Sequence, residues 1–337
     1  MNIAEKHIAL VQIAQELINI PSVTGSERAV LESLENMLRD MKMMIEREEV
    51  SDGRWNIYAG WNQSTDVVFC THVDTVPPFF PAQIDGDTLS GRGACDTKGI
   101  IAAMLSAGDS LIQDGHTPAY LFVVGEETDS IGAKTAAASG RKAEYIIVGE
   151  PTDNILASGH KGVVSYTITV EGKAAHSAYP HQGVSALHIM LDILQDIRTA
   201  DWGKNTLLGE ATFNVGMIDG GVAMNTLAPA AKATVMHRIV DDAEERKRQV
   251  RAIVDGRAVV QFHSISQPQI LTTVEGFAKQ PVSFGTDIPY LCSMGKCLLF
   301  GPGSIHEAHT AHERISIAAI NEAKELYIRL YHALRRP

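Results

Sequence analysis

Five short segments of the chain carry side chains that could bind a metal ion or transfer a proton. Each segment ends an apolar run or lies in a glycine-rich turn. One imidazole and several carboxylates suit Zn²⁺ or a similar divalent cation, and this number of groups suits two ions that share a bridging ligand. The pattern indicates a hydrolase. The candidate groups are His72, Asp74, Asp96, Glu126, Glu127, Glu150 and a histidine near residue 309.

The segment from His72 to Asp74 places two polar side chains on one face of a predicted strand, because alternate residues of a strand point the same way. His72 could bind a metal ion while Asp74 accepts a hydrogen bond from its other ring nitrogen. A water-exposed strand end explains these two residues equally well. Asp96 follows the turn Gly-Arg-Gly-Ala-Cys. Its carboxylate could bridge two cations or cap a helix predicted at 97–114.

Two adjacent carboxylates, Glu126 and Glu127, follow the apolar run LFVVG. They repel each other unless a positive charge lies nearby. One could bind a metal ion while the other faces a water molecule on that ion. A bound metal ion lowers the pKa of such a water to about 7. That carboxylate could take the proton and pass it to a leaving amine. The alternative is a solvated turn. Glu150 follows IIVG in the same way and could complete one set of ligands.

Three histidines in the C-terminal stretch, His306, His309 and His312, are spaced by three residues. The segment from His306 to His309 is one residue too short for the HExxH zinc motif. One imidazole is needed for a second ion, and the spacing alone does not choose among the three.

Length and composition bound the class of protein. A chain of 337 residues exceeds what one hydrophobic core usually supports, so two domains are expected. The formal net charge of −11 argues against nucleic acid or an anionic membrane as a partner. No apolar run approaches the ~18 residues of a membrane span, the N-terminal stretch has no signal-peptide core, and the four cysteines show no disulfide spacing. We therefore expect a cytoplasmic protein with reduced thiols.

The elements that would position the candidate groups follow from hydrophobic periodicity. The segment from Thr24 to Glu27 has the form of a capping box that opens a helix ending near Met41. Apolar strands are predicted at 67–74, 119–127 and 144–150, with a helix at 97–115 between the first two. This alternation predicts an α/β sheet, in which ligands gather at the strand ends.

The pattern changes near residue 162 and returns near residue 273. Between them, predicted strands and helices alternate in the strand–helix–strand–strand–helix–strand order of a ferredoxin-like fold. We predict a catalytic domain of residues 1–161 and 273–337 that is interrupted by a domain of residues 162–272. The predicted elements are strands at 163–172, 211–221 and 231–240, helices at 183–198 and 241–255, and, beyond the insert, a strand at 296–301 and a helix at 313–334.

Together these segments resemble the M20 metallopeptidase family, which includes acetylornithine deacetylases, succinyl-diaminopimelate desuccinylases, aminoacylases and carboxypeptidases. The match runs in the expected order from IPSVTGSE (20–27) to AHTAHE (308–313). The resemblance implies a di-zinc, aminopeptidase-like α/β catalytic domain with an inserted ferredoxin-like α+β lid domain through which a homodimer forms. Two Zn²⁺ ions are the implied cofactors, with Co²⁺ or Mn²⁺ as substitutes.

The resemblance also assigns the ligands by position. It implies that His72, Asp96 and Glu150 hold one zinc ion. It implies that Asp96, Glu127 and His309 hold the other, so that Asp96 bridges the pair. The flanking residues in the segment Ala-His-Thr (308–310) resemble the family pattern and select His309 over His306 and His312.

Further roles are implied in the same way. Glu126 resembles the general base and Asp74 the partner of the metal-binding imidazole. The segment GKAAHSAYPHQG (172–183) resembles the lid segment whose histidine, here His176, reaches the site of the partner subunit and stabilises the oxyanion. Positions that resemble substrate-binding residues are Asn225, Arg238, Lys161 and Thr286.

The reaction implied is hydrolysis of the amide bond of a small N-acyl amino acid, free or linked to a carrier protein. The stretch 284–313 is similar to acetylornithine and acetylcitrulline deacetylases and to enzymes that release lysine or ornithine from a carrier protein. Succinyl-diaminopimelate desuccinylase and an M20 carboxypeptidase or dipeptidase are the alternatives. A metal-binding homologue without activity is the alternative of another class. One departure is His237, directly before Arg238, where many relatives carry an acid.

Overall fold

The computed structural model describes residues 3–61 and 64–335, which form two units. Unit 1 comprises Met1–Ser158, Leu271–Gln280 and Thr286–Pro337. Unit 2 comprises Gly159–Ile270 and Pro281–Gly285. The chain thus leaves unit 1, forms a second α/β unit and returns, which confirms the predicted fold class. The predicted domain bounds stay a prediction.

The helices and strands alternate along most of the chain. The helices are α1 (Ile3–Asn19), α2 (Arg28–Asp40), α3 (Gly99–Gln113), α4 (Ile131–Ala138), α5 (Ala186–Thr199), α6 (Ala243–Val254), α7 (Ile288–Leu291) and α8 (Ile317–Leu334). The strands are β1 (Ile45–Ser51), β2 (Arg54–Ala59), β3 (Ser64–His72), β4 (Gln83–Asp85), β5 (Thr88–Ser90), β6 (Ala119–Val123), β7 (Lys142–Val148), β8 (Leu156–His160), β9 (Gly162–Glu171), β10 (Lys204–Asn205), β11 (Gly209–Glu210), β12 (Thr212–Gly220), β13 (Ala230–Ile239), β14 (Val259–Ser266), β15 (Gln269–Ile270), β16 (Lys279–Val282), β17 (Lys296–Leu299) and β18 (Arg314–Ser316).

The main sheet of unit 1 has the strand order β1-β2-β6-β3-β7-β17. Strand β3 runs parallel to both β6 and β7, and β17 runs parallel to β7. Their continuous apolar residues are buried, as expected for a sheet that packs against helices. The carboxyl ends of β3, β6 and β7 therefore open on one edge of the sheet, where polar side chains can converge.

Close packing of α3 on this sheet depends on one glycine. A Cβ atom built on Gly108 would lie 1.5 Å from the hydroxyl oxygen of Tyr120 on β6. That hydroxyl donates a hydrogen bond to the backbone oxygen of Met104, also on α3. The missing side chain thus lets the helix approach the tyrosine closely enough to bond it.

The helix predicted after Thr24 is confirmed as α2, but the predicted capping box is wrong. No side chain caps the amino end of α2. The hydroxyl of Thr24 donates instead to Oδ2 of Asp74 at 2.7 Å. The carboxylate of Glu27 accepts two hydrogen bonds from Arg54. Bonds that involve a charged group are stronger than neutral ones, so both side chains have partners that outweigh the local cap.

The closing helix begins later than predicted, because residues 314–316 form β18. This strand pairs antiparallel with β5. Helix α8 follows it, with Ser316 as its cap: the hydroxyl of Ser316 accepts a hydrogen bond from the backbone N–H of Ala319. In the described part of the chain, no helix combines the length and apolar character that a membrane span requires.

Unit 2 has the predicted ferredoxin-like order β9-α5-β12-β13-α6-β14. Its sheet has the strand order β12-β13-β9-β14, with every neighbouring pair antiparallel. Apolar residues alternate along β9 and β13 and pack against the apolar faces of α5 and α6. This one-sided core explains the period-two pattern that distinguishes these strands from those of unit 1.

His237 is buried in the core of unit 2. Its ring contacts those of Tyr166, Trp202 and Phe213, and its Nε2 lies 2.8 Å from the hydroxyl oxygen of Tyr166. Burial, followed by the positive charge of Arg246, lowers the pKa of His237 to about 4. The neutral imidazole is therefore the form that fits this core.

We expect this residue to make the folded protein less stable in acid. In the unfolded chain His237 takes up its proton near pH 6.5, but in the folded protein only near pH 4. Stability is therefore lost as the pH falls through this interval, by about 2 kcal/mol at pH 5. Urea unfolding at pH 7 and pH 5 measures the loss, which His237→Phe should reduce by that amount.

The matched control is His263→Gln, because His263 is an exposed residue of β14 in the same unit. This variant should retain the full pH dependence of the wild-type protein. An unchanged pH dependence in His237→Phe would contradict the assignment.

Candidate metal centre

Four of the candidate groups follow the ends of neighbouring parallel strands. His72 is the last residue of β3. Glu126 and Glu127 follow β6, and Glu150 follows β7. Because β3 lies between β6 and β7, the three strands deliver their polar side chains to one place at the edge of the sheet. The structure thus brings together residues that are far apart in the sequence, such as His72 and Glu150.

Asp96 lies between two imidazoles. Its Oδ1 is 3.0 Å from Nε2 of His72, and its Oδ2 is 3.3 Å from Nε2 of His309. Nε2 of His309 is also 2.9 Å from Oε2 of Glu127. The other imidazole nitrogen, Nε2 of His72, lies 3.9 Å from Oε1 of Glu150. Each oxygen of Asp96 therefore faces a different histidine, and each of these histidines also faces a different glutamate.

This arrangement fits two divalent cations. One ligand atom from each of His72, Asp96 and Glu127 lies within 4.8 Å of the other two. Imidazole nitrogen and carboxylate oxygen are the donors that Zn²⁺ and related ions take in catalytic sites. The carboxylate of Asp96 lies between two pairs of side chains, His72 with Glu150 and His309 with Glu127, and each pair offers one imidazole and one carboxylate.

The pKa shifts of the side chains in the site show that positive charge is favourable beside its carboxylates. Burial alone would lower the pKa of His72, but its hydrogen bonds with Asp74 and Asp96 raise the pKa well above the usual range. Hydrogen bonds with Asp96 and Glu127 raise the pKa of His309 to about 10. Burial would raise the pKa of Asp96, and the two imidazoles outweigh it and lower that pKa. Cations are thus favoured on both sides of Asp96.

Two further carboxyl groups of the site hold their protons tightly. Burial, with the negative charge of Asp96 next, raises the pKa of Glu150 well above its usual range. Burial likewise raises the pKa of Glu126, and the charges of Asp287, Glu127 and Asp96 add to the effect. A carboxyl group whose pKa is raised in this way binds a proton more readily than an ordinary carboxylate does, as a general base requires.

Asp74 holds the turn that carries the two glutamates. Its Oδ1 accepts hydrogen bonds from the backbone N–H groups of Gly125 at 3.0 Å and Glu126 at 3.2 Å, and its Oδ2 accepts one from Glu127 at 3.2 Å. The hydroxyl of Thr24 donates to Oδ2 as well. Toward His72, the backbone oxygen of Asp74 lies 3.0 Å from Nδ1, and its carboxylate lies 3.5 Å away. Asp74 therefore contacts the imidazole through both its backbone oxygen and its carboxylate.

The sequence did not reveal several residues that support the site. Thr24 matched a capping pattern, so its contact with Asp74 was missed. Asp287 is buried, and burial raises the pKa of its carboxyl group to about 6. From the sequence, only its neighbour Thr286 was predicted to contact the substrate. In this turn the hydroxyl of Thr286 accepts a hydrogen bond from the N–H of Ile288 at 3.2 Å, so Thr286 helps to begin α7.

The predicted oxyanion-stabilising residue, His176, and the other predicted substrate-binding residues lie in unit 2. His176 and Asn225 are exposed neighbours: His176 pairs with Thr226, and the N–H of Ser177 donates to the backbone oxygen of Asn225. Lys161 is buried, with its ammonium 2.6 Å from the backbone oxygen of Glu210. The remaining residue, Arg238, is on β13 opposite residues of β9 and β12. The predicted metal ligands, in contrast, all lie in unit 1.

Comparison with known proteins adds sequence relatives along nearly the whole chain. A family model described as a peptidase dimerisation domain of the M20 type matches residues 158–260. A peptidase M20 domain-containing protein of Schizosaccharomyces pombe is 38% identical over 334 residues, covering 95% of this chain and 84% of the relative. A probable carboxypeptidase of Aspergillus clavatus is 33% identical over 360 residues, covering 94% of this chain and 87% of the relative.

Solved structures share the fold at lower identity. A tripeptidase from Staphylococcus aureus superposes with a TM-score of 0.84 at 21% identity, covering 98% of this chain and 99% of the other. A dinuclear metal-binding peptidase of the M20 family from Bacillus subtilis superposes with a TM-score of 0.71 at 14% identity, covering 98% of each chain.

Proposed function

The chain belongs to the M20 family of metallopeptidases and is a hydrolase, and we propose that it releases amino acids from short peptides as a carboxypeptidase or dipeptidase. The observation that carries this proposal is the placement of Asp96 between two imidazoles, each of which also faces a glutamate. The relatives named carboxypeptidases, such as that of Aspergillus clavatus, support the choice of substrate class.

Two divalent cations complete the proposed site, with His72, Asp96 and Glu150 for one and Asp96, Glu127 and His309 for the other. We propose Zn²⁺, with Co²⁺ or Mn²⁺ as substitutes, because imidazole and carboxylate suit these ions. When bound, the ions polarise the scissile carbonyl group and make water easier to deprotonate. The fold of M20 peptidases described as dinuclear supports two ions rather than one.

Glu126 is the proposed general base. Its raised pKa suits a group that takes a proton from the attacking water and returns it to the nitrogen of the leaving amino acid. Asp74 keeps Glu126 in place, because it binds the backbone N–H of Glu126 and those of both neighbours. The two adjacent glutamates then have different roles. Glu127 faces His309 and would bind a metal ion, whereas Glu126 would transfer the proton.

Hydrolysis of an N-acyl amino acid is the second candidate, and it was the first expectation from the sequence. Both reactions cleave an amide bond that links an acyl group to an amino acid, so the same metal ligands and the same base serve either one. Residues that contact the rest of the substrate must therefore set the preference. We propose Arg238 for the substrate carboxylate, since its planar fork suits that group, and Lys161 and Thr286 as further pocket residues.

We also propose that the protein acts as a homodimer through unit 2. Strand β12 is an edge strand of its sheet, and Met217, Ile218 and the nearby Val222 and Met224 expose large apolar side chains. An unpaired strand edge beside apolar surface favours pairing with a second copy. The match to a peptidase dimerisation domain supports this assignment. In such a dimer, His176 and Asn225 would hold the substrate carbonyl oxygen in the partner subunit's site.

The substrate class is tested by measuring amino-acid release from two sets of compounds with Zn²⁺ or Co²⁺ added. One set contains dipeptides and tripeptides, and the other contains N-acetyl-ornithine, N-acetyl-citrulline and N-succinyl-diaminopimelate. We expect kcat/KM to be higher for the peptides. Turnover of the acylated amino acids alone would replace the peptidase proposal with the deacylase one.

Glu126→Gln tests the base. Because the amide cannot accept the proton, we expect kcat to fall by about 10²–10⁴-fold while the metal content stays that of the wild-type protein. Metal analysis and steady-state kinetics measure the two effects. Asp129→Asn is the matched control, since Asp129 is an exposed acid of the same turn, and its kcat should not change. Near-normal turnover in Glu126→Gln would rule out the proposed role.

Mixing two inactive variants tests the dimer. Each hybrid of His176→Ala and Glu126→Gln subunits would contain one site with both residues intact, so the mixture should regain up to about a quarter of the wild-type activity. The same mixture with Ile218→Glu added to both chains should regain none, because the charge would separate the subunits. Failure of the first mixture would place His176 outside the partner's site.

A further inference from the structure

The two segments that carry Asp96 and His309 are joined directly to each other. Strand β5, which precedes the turn of Asp96, pairs with β18, which follows His309, so that Ser90 faces Arg314. The backbone N–H of Gly91 donates to the backbone oxygen of Glu313 at 3.1 Å. The side chain of Glu313 adds further hydrogen bonds between the two segments.

The carboxylate of Glu313 holds the backbone of the Asp96 turn. Its Oε1 accepts hydrogen bonds from the N–H groups of Cys95 and Asp96, each at 3.0 Å. The side chain is fully buried, so no water competes for these bonds. Asp96 itself has non-helical dihedral angles, φ −124° and ψ 88°, within the turn Ala94–Lys98. The hydroxyl of the next residue, Thr97, donates to the backbone oxygen of His72 at 2.6 Å, and the carboxylate of Glu313 holds the N–H of Asp96 itself.

Arg92 fixes the other oxygen of the same carboxylate. Its Nη1 donates to Oε2 of Glu313 at 2.6 Å, and its Nε donates to the backbone oxygen of Pro78 at 3.1 Å. The guanidinium also lies over the ring of Phe80, 5.1 Å from its centroid. Arg92 is itself buried. With both oxygens bound, Glu313 cannot rotate away from the turn.

We propose that Glu313 and Arg92 are positioning residues that hold the carboxylate of Asp96 in register with His72 and His309. Glu313 acts on Asp96 through the backbone and on His309 through the chain that joins them, so it sets the distance between these two ligands. This inference rests on the proposed metal site. It assigns a function to an acid that lies four residues beyond a metal ligand and binds no ion itself.

Glu313→Gln is the test variant. Glutamine offers one acceptor and one donor where the carboxylate offers two acceptors. Whichever end faces the turn, one buried N–H donor is left facing another. We expect Co²⁺ to bind the folded apoprotein about 10–100-fold more weakly than in the wild-type protein, the usual effect of removing a group that orients a ligand. The visible spectrum of bound Co²⁺ should change with the geometry of Asp96.

Glu307→Gln is the matched control. Glu307 belongs to the same segment and pairs with an arginine, Arg314, at 3.2 Å, but this pair is more exposed, and both oxygens of Glu307 accept hydrogen bonds from Arg314 instead of from the backbone of the Asp96 turn. Its loss should leave the affinity for Co²⁺ and the spectrum unchanged. A general weakening of the segment would affect both variants alike, so the contrast isolates the contact of Glu313 with the turn.

Asp96→Asn separates the two proposals. If Asp96→Asn abolishes Co²⁺ binding and Glu313→Gln leaves affinity and spectrum unchanged, the positioning proposal is overturned while the metal site stands. If Asp96→Asn itself leaves Co²⁺ binding unchanged, the metal site is wrong. Should Glu313→Gln fail to fold, Arg92→Lys replaces it, because an ammonium group cannot reproduce the two bonds of the guanidinium. We expect an intermediate loss of affinity in Arg92→Lys, and an unchanged affinity there would also overturn the proposal.

Discussion

Repulsion among buried carboxylates is the constraint on which the rest of unit 1 depends. Asp96, Glu126, Glu127 and Glu150 converge at the edge of one sheet, and burial, with the charge of Asp96 adding to it, raises the pKa of both Glu126 and Glu150. Such a cluster is unfavourable unless cations lie among its members. Two imidazoles supply part of this charge, and divalent ions would supply the rest. The fold must therefore hold the acids against a force that pushes them apart.

The acids of the site fall into two groups, which differ in the atoms that their carboxylate oxygens contact. Those of Asp74 and Glu313 are occupied by backbone N–H groups, a hydroxyl and a guanidinium. Those of Asp96, Glu127 and Glu150 face imidazole nitrogens. An oxygen already bound by several donors is a poor metal ligand, whereas one that faces other ligands is ready to bind an ion. The hydrogen-bond pattern thus separates the supporting acids from those that we propose as metal ligands.

Much of the fold followed from the sequence because it depends on local patterns. Continuous apolar runs predicted β3, β6 and β7, and the alternating run at 163–172 predicted β9 with its one buried face. The position of Glu150 after an apolar run predicted its place at the sheet edge. The partners of Thr24 and Glu313 could not be predicted in this way. Thr24 bonds a residue 50 positions away, and Glu313 bonds one 218 positions away. No local pattern records such pairings.

The local sequence pattern also could not decide which of His306, His309 and His312 joins the site. The spacing did not distinguish the three histidines, and only the resemblance to a family selected His309 as the predicted ligand. In the structure, His309 has a positive φ of 63°, a conformation that turns the chain sharply. This turn accompanies the placement of its ring against Asp96 and Glu127. Which histidine reaches the acids thus depends on a left-handed backbone conformation that few residues other than glycine adopt, and contacts from distant segments must stabilise it. Glu313 and β18, which fasten the chain just beyond His309, are the contacts placed to do so.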